Sequence, residues 1–503
     1  MAKRDISSIR GTLEFLKGEG ELLSITQEVD PIYEIAGIEK ALEDGPALLF
    51  ENIKGYPGIR DLGNLFATRE RAAKMLGIPD FKNIKFHLMD AINKPIPPKV
   101  VKSAPCQEVV VTKNIDVFKE MPVLKHTSRD AGRIIGGGNI LVTGKYFRGG
   151  SHISFNRCNF RGGNWGTIMG GPPTHLGVVS YIDFRKEKVP WTVNVCTPPA
   201  VMMAAGGGNV HSIIPQGADE LGIAGGIQGS PIEIVKAKTQ DAYSIAQAEW
   251  VIEGYIDTES AWETEEAEKL GEGGKAPFFP EWPGYLGRAY RFRKFKVTAI
   301  THRKDRPIFF TPLAHSFEGE YLVTLLKEAC MMEVAERVMP GLAVDCNVLH
   351  GFSVNGGVVY KIRKRAAWDE GHQRNIMTAA LASNPGIRMV VMVDDDVDIY
   401  NADDVLWAIN TRCNPLTGIL NGAREGRGTI MQPMERSSGL GGGGFEGGMG
   451  IDATVPMDKK WDFERAHYPS DQIDLKKFLT AAQIKKIQAG QSEYAKLMAQ
   501  IGG

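Results

Sequence analysis

The chain has no run of about 18 apolar residues, so no stretch of it reads as a membrane span. Its first residues, MAKRDISSIRGTLEFL, scatter charges where a secretory signal would carry an apolar core. Cysteine is scarce: Cys106, Cys158, Cys196, Cys330, Cys346 and Cys413 are widely spaced and include no CxxC pair. That supports neither a disulfide framework nor a zinc ribbon, and reduced thiols in a cytoplasmic protein are the expectation. An excess of one charge is also lacking. A formal net charge of -1 leaves no basis for bulk nucleic-acid binding. No GxGxxG turn follows a strand-like segment, so a nicotinamide domain is unsupported. The run Gly206–Gly208 could offer backbone N–H groups to a phosphate, but no Walker lysine follows it.

What is present is ample apolar material, 43% of 503 residues, which predicts two to four domains of about 100–200 residues each. Over 1–105 helices are expected at Ser7–Lys17, Tyr33–Leu42 and Arg69–Leu76, and strands at Glu21–Ile25 and Ala47–Ile53. This is an α/β domain, closed by a proline-rich linker, Lys94–Pro105. Over 106–317 short strands separated by glycines predict a barrel-like β domain, interrupted by one helix, Pro198–Ala205. Over 318–470 a long helix, Glu318–Val338, opens a second α/β domain with strands at Leu342–Leu349, Val358–Lys361 and Arg388–Val393. Helices near Arg374–Ala382 and Asp403–Thr411 complete it. The Gly-dense stretch 422–450 reads as a mobile flap. A terminal helix, about Leu475–Ile501, occupies 471–503; its apolar stripe docks on a partner subunit or on its own chain. The expected fold class is α+β multidomain, with a central split β-barrel between two α/β domains.

Gly149–His175 is the stretch that gathers chemistry. His152–Arg157 alternates, with Ile153 and Phe155 on one face and His152, Ser154 and Asn156 on the other. A Gly-rich connection and Pro172-Pro173-Thr174-His175 lead to a second apolar strand, Leu176–Ile182. The residues read as the floor of a cofactor site. His152, His175 and Glu220 offer imidazole and carboxylate donors for a divalent ion such as Mn2+, or else are structural groups at strand ends. Arg157 suits a carboxylate through two parallel hydrogen bonds, or a salt bridge. Glu281, set among Phe278, Phe279, Trp282 and prolines, should be desolvated enough to keep a proton for donation; the plain alternative is a turn carboxylate. Asp394-Asp395-Asp396-Val397-Asp398 binds metal or, more simply, caps turns and helices.

These pieces, in this order, resemble the UbiD family of reversible, non-oxidative decarboxylases, which use prenylated FMN. The family's Asn, Arg and His fall at His152, Arg157 and His175, and its PEGxxE segment at Pro215–Glu220. The segments Ala248–Gly254, Ile300–Arg303 and Val393–Asp398 also look like the family's. Two positions depart from it. His152 replaces the usual Asn ligand. The paired acids EGPFGE become Ala276-Pro277-Phe278-Phe279-Pro280-Glu281, so the second acid survives as Glu281 and the first is lost; Glu272 or Lys275 is expected to fill its place in space.

The resemblance implies a decarboxylase of an aromatic acid, with a hydroxybenzoate such as protocatechuate or gallate favoured. Arg157 would orient the carboxylate and Glu281 donate the proton, with Glu272 the stand-in for the missing acid. Ser154, Phe155, Asn156, Thr174, His211 and Ser212 would line the flavin, and Arg388 would reach its phosphate. Mn2+ at His152, His175 and Glu220, with K+ nearby, would tie that phosphate to the protein. His315 and Phe317 would wall the substrate pocket, and the 437–450 flap would close it. A flavin prenyltransferase would supply the cofactor, CO2 would be the co-product, and a homodimer or homohexamer is expected. Heteroaromatic acids and aryl-CoA acids remain open, as do a non-catalytic flavin-binding protein and a metal-dependent hydrolase.

Overall fold

Thr68 is extended and its side chain accepts the Arg71 N–H, so a helix starts at Arg69; it ends at Leu76, where Gly77 takes the left-handed conformation. Ser8 caps Ile9–Gly18 in the same way. These helices cover a four-stranded sheet in the order Leu22–Ile25, Ala47–Phe50, Arg60–Gly63, Ile308–Phe310. The last strand lies far along the chain and pairs in parallel with Arg60–Gly63. The computed structural model describes residues 4–132, 134–171, 174–207, 210–352, 356–384, 386–421, 448–466, 468–469 and 472–490.

The central layer is a nine-stranded sheet whose pairings are all antiparallel. Its spine is the pair Trp250–Trp262 and Arg291–His302. In the second of these, Arg293, Phe295 and Val297 are buried while their neighbours are not, the period of two that a sheet with one covered face requires. Ser151–Phe155 is the edge strand, hydrogen-bonded to Asn139–Thr143.

The C-terminal sheet runs Ala343–Asn347, Gly357–Ile362, Met389–Asp394, Met449–Ala453, Ile419–Asn421. Its three middle strands are parallel and nearly all apolar, as strands covered on both faces must be. Helix Phe317–Val338, capped by Ser316, is buried almost all round and packs on Ile84–Asn93, Pro199–Gly206 and His372–Ser383. Buried Glu328 on this helix is paired: Arg69 grips it with two bonds of 2.9 and 2.6 Å. These layers form one unit, Met1–Thr454. A second unit, Val455–Gly503, contains short 3-10 turns at Met457–Phe463 and Leu475–Lys477 and a helix over 481–490.

Several expectations need correction. Leu176–Ile182 is not a strand. Thr174 accepts the Gly177 N–H and starts a helix, His175–Val178, which passes into a π-helical turn, Val179–Asp183. The glycine-rich connection is not loop but two paired strands, Cys158–Gly162 and Trp165–Ile168. Gly166 is required there, because a Cβ would lie 2.0 Å from the Asn159 carbonyl oxygen. The proline-rich linker contains a strand, Lys99–Val101, paired with Glu233–Lys236. The terminal helix begins at 481 rather than 475, behind Thr480, whose N–H and hydroxyl both bond Gln483; its far end, and 422–447 of the expected flap, lie outside the described residues. Met449 and Gly450, also assigned to the flap, belong to a strand.

Candidate active site

Helix Glu220–Gln228 begins against the edge strand. Ser151 Oγ donates to Asp219 and accepts the Leu221 N–H, which fixes the helix start beside His152. Glu220 then lies between two histidines. His152 Nδ1 is 3.2 Å from both of its oxygens, and His175 Nδ1 is 3.0 Å from Oε1. The Ile153 N–H donates to Oε2 at 2.7 Å. Burial opposes ionisation of Glu220, but His152 and His175 outweigh it and hold the carboxyl down at about 2. The second ring nitrogen, Nε2, of each histidine is buried without a partner. Phe147 stacks on His152 with ring centres 5.2 Å apart and tilts on His175 at 5.4 Å. Among the described residues this is the group with the spacing of a metal centre. Its donor set fits a divalent ion.

Arg157 follows the same strand and is buried. Nε and Nη2 donate to the two oxygens of Glu263 at 3.0 and 2.9 Å. Nη1 donates to Glu281, and Nη2 also reaches the Arg288 carbonyl. The guanidinium lies over the Phe278 ring at 4.4 Å. Burial alone would weaken the Arg157 charge, but Glu263 and Glu281 more than offset it. Two carboxylates on one buried cation leave a net negative charge. Burial pushes Glu263 up to about 7 against the pull of Arg157 and of the Tyr290 N–H. An acid–arginine–acid network is therefore complete, but with Glu263 as its first acid.

Glu272 does not take that place. It is exposed, 3.7 Å from Lys275, and both stand away from Arg157. Ala276 is buried in the small apolar cluster with Phe278 and Phe279. Glu263 lies at the end of strand Trp250–Trp262, in a run of acids that reads as solvated surface. The strand is interrupted twice in register, so its alternation cannot be followed to position 263 from sequence. Burial alone sets Glu263 apart from its acidic neighbours.

One cavity joins the two clusters. It is lined by His152, Ser154, Phe155, Asn156, Arg157, Thr174, His175 and Glu281, which the sequence had singled out, and by Met169, Leu322 and Val323, which it had not. Asn156 is fixed by the Met169 carbonyl and the Ser154 hydroxyl. Phe279, Trp282, Pro312 and Ala314 complete an apolar wall. His211 reaches the edge of the His152–His175–Glu220 cluster, its ring 4.6 Å from His175.

Other expected residues are elsewhere. Ser212 faces a separate cleft with Val334 and Arg337. Arg388 precedes strand Met389–Asp394 and does not line the cavity. Neither His315 nor Phe317 lines it. Ser316 caps the long helix and turns His315 outward, where its Nδ1 meets the Trp282 carbonyl, while Phe317 packs on His350 and Tyr321. Asp394 and Asp396 bind Arg412.

Family profiles match three consecutive parts of the chain. They describe the N-terminal domain of 3-octaprenyl-4-hydroxybenzoate carboxy-lyase at 13–88, its Rift-related domain at 99–315 and its C-terminal domain at 320–453. A gallate decarboxylase of Lactiplantibacillus plantarum is 30% identical over 468 residues, spanning 88% of this chain and 92% of that one. An evolved dimeric form of the UbiD-class enzyme HmfF from Pelotomaculum thermopropionicum, solved with prFMN, is 28% identical with a TM-score of 0.79, covering 94% of this chain and 100% of its own. The 3,4-dihydroxybenzoic acid decarboxylase of Enterobacter cloacae is 27% identical with a TM-score of 0.81, covering 94% and 98%.

Proposed function

Because the chain belongs to the UbiD family of carboxy-lyases, we propose that it removes CO2 from an aromatic carboxylic acid, with prenylated FMN in the cavity between Arg157 and the His152–His175–Glu220 cluster. The observation that carries this is Arg157, held between two buried acids on the wall of that cavity. The gallate and dihydroxybenzoate decarboxylases among its relatives favour a hydroxybenzoate of protocatechuate or gallate type as substrate.

Loss of CO2 from an unassisted aromatic acid leaves an in-plane carbanion that the ring cannot delocalise. Prenylated FMN supplies the electrophile and electron sink for that step. The protein's part is placement and proton control. Arg157 orients the substrate carboxylate, and Glu263 fixes the guanidinium from behind. Glu281, on the cavity wall beside Arg157, delivers a proton to the ring carbon once CO2 has left. Phe279, Trp282, Pro312 and Ala314 hold the ring and keep water from that carbon. His152, His175 and Glu220 would hold a divalent ion, which, with K+ nearby, would supply positive charge for the cofactor phosphate. A flavin prenyltransferase provides the cofactor, in a cytoplasmic homodimer or homohexamer.

The test is the protein co-expressed with a flavin prenyltransferase and assayed anaerobically on a panel of aromatic acids. Glu281→Gln should keep its flavin, seen by absorbance and mass of the released cofactor, and lose turnover. Flavin binding with no turnover by either form would make this a flavin-binding protein instead.

A further inference from the structure

Resting on that reading of the cluster as a divalent metal site, we infer that His152, His175 and Glu220 select a borderline transition-metal ion (Fe2+, with Co2+ and Zn2+ as its substitutes) over Mn2+. The donor set is two imidazoles and one carboxylate, all buried. Imidazole nitrogen suits iron, cobalt and zinc, whereas Mn2+ and Mg2+ favour carboxylate, carbonyl and water oxygen. Two nitrogens to one oxygen tilt the site toward the first group. Two histidines and one carboxylate with further positions open is also the donor pattern of non-haem Fe2+ centres.

The distances agree. Donors at right angles around an ion about 2.1 Å away stand about 3.0 Å apart. His175 Nδ1 is 3.0 Å from Glu220 Oε1, and His152 Nδ1 is 3.2 Å from it. The same separation suits an N–H···O bond, so a proton and a metal compete for one place. The Ile153 N–H holds Oε2, and Oε1 is the oxygen within 3.2 Å of both Nδ1 atoms. Phe147 packs on both imidazoles and fixes their planes. The three ligand atoms lie within 4.8 Å of one another, and the nitrogen of His152 is the donor that decides the preference.

The experiment uses the full chain, treated anaerobically with chelator and offered equimolar Co2+ and Mn2+, with bound metal counted after desalting. The wild type should take Co2+ in large excess, and His152→Asn, which replaces a nitrogen donor by an amide oxygen, should lower the Co2+:Mn2+ ratio by roughly tenfold. Should that variant fail to fold, pulsed EPR of Mn2+ forced into the wild type counts coordinated imidazole nitrogens directly, and two are expected. One nitrogen, or a ratio unchanged by His152→Asn, overturns the inference while leaving the metal site standing. No stoichiometric ion of any kind overturns the metal reading, and the inference with it.

Discussion

Glu263→Gln tests the acid network at the residue that has no counterpart in the sequence motif. The substitution keeps the shape of the side chain and an oxygen for the Tyr290 N–H. It removes one of two charge-assisted bonds to Arg157, now 2.9 and 3.0 Å long, and presents an amide NH2 to a guanidinium N–H instead. Bonds to charged groups are worth about 1.5–3 kcal/mol each, so the cost of holding Arg157 in place is about 2–3 kcal/mol. Glu281 still neutralises the cation, which keeps the loss below the full penalty of a broken buried pair. If chemistry requires that placement, kcat falls by about 30- to 150-fold. The assay is decarboxylation by flavin-loaded enzyme, with flavin occupancy measured in the same samples and expected to hold. Glu272→Gln is the control: this carboxylate is exposed and touches only Lys275, so kcat should stay within about twofold. A large loss in Glu272→Gln with an unaffected Glu263→Gln would refute the reasoning.

Three further outcomes are expected. Burial pushes the Glu318 carboxyl up to about 7 despite N–H bonds from Phe66 and Asn64. Its contribution to stability is therefore complete below about pH 4.5 and lost as pH rises through about 7, a fall of about 3 kcal/mol; across that window the wild type should lose stability relative to Glu318→Gln by about that amount, and parallel melting curves would count against it. Glu328→Ala strands the buried Arg69 charge and should cost about 3–5 kcal/mol in the denaturation midpoint, against little loss of secondary structure. Gly166→Ala drives a methyl into the Asn159 carbonyl, so the protein should melt several degrees lower and bind less flavin, since the strand it disturbs pairs with the one following Arg157.

Much of the architecture could be read from local signals. Thr68 and Gly77 bracket a helix because a side-chain cap and a left-handed glycine act within one turn of chain. The nearly continuous apolar strand Met389–Asp394 likewise announces a sheet covered on both faces. Misreadings arose where a local signal competed with another or where the deciding contact was remote. The apolar run after His175 has strand composition, yet Thr174 caps a helix there. Gly166 looks like loop, yet it admits the close approach of the neighbouring strand. Of the site, His152, Arg157, His175, Glu220 and Glu281 were legible through their resemblance to a family. Glu263 was not, because only distant Arg157 distinguishes it from the acids beside it. His315 and Phe317 were misplaced because the direction of a side chain at a helix start depends on the cap, here Ser316.

The strand Ile308–Phe310 closes the N-terminal sheet beside Arg60–Gly63. During synthesis the first 100 residues therefore emerge as a sheet with one side unfinished, and they wait for the whole central layer to be translated before it is completed. Arg10, bound to Glu249 at 2.8 Å, waits for the same segment. A nascent or truncated chain ending before 308 exposes the open edge of Arg60–Gly63 to any other strand nearby. N-terminal fragments of this protein should consequently depend on chaperones, and the ribosome must release about three-fifths of the chain before its first sheet can become permanent.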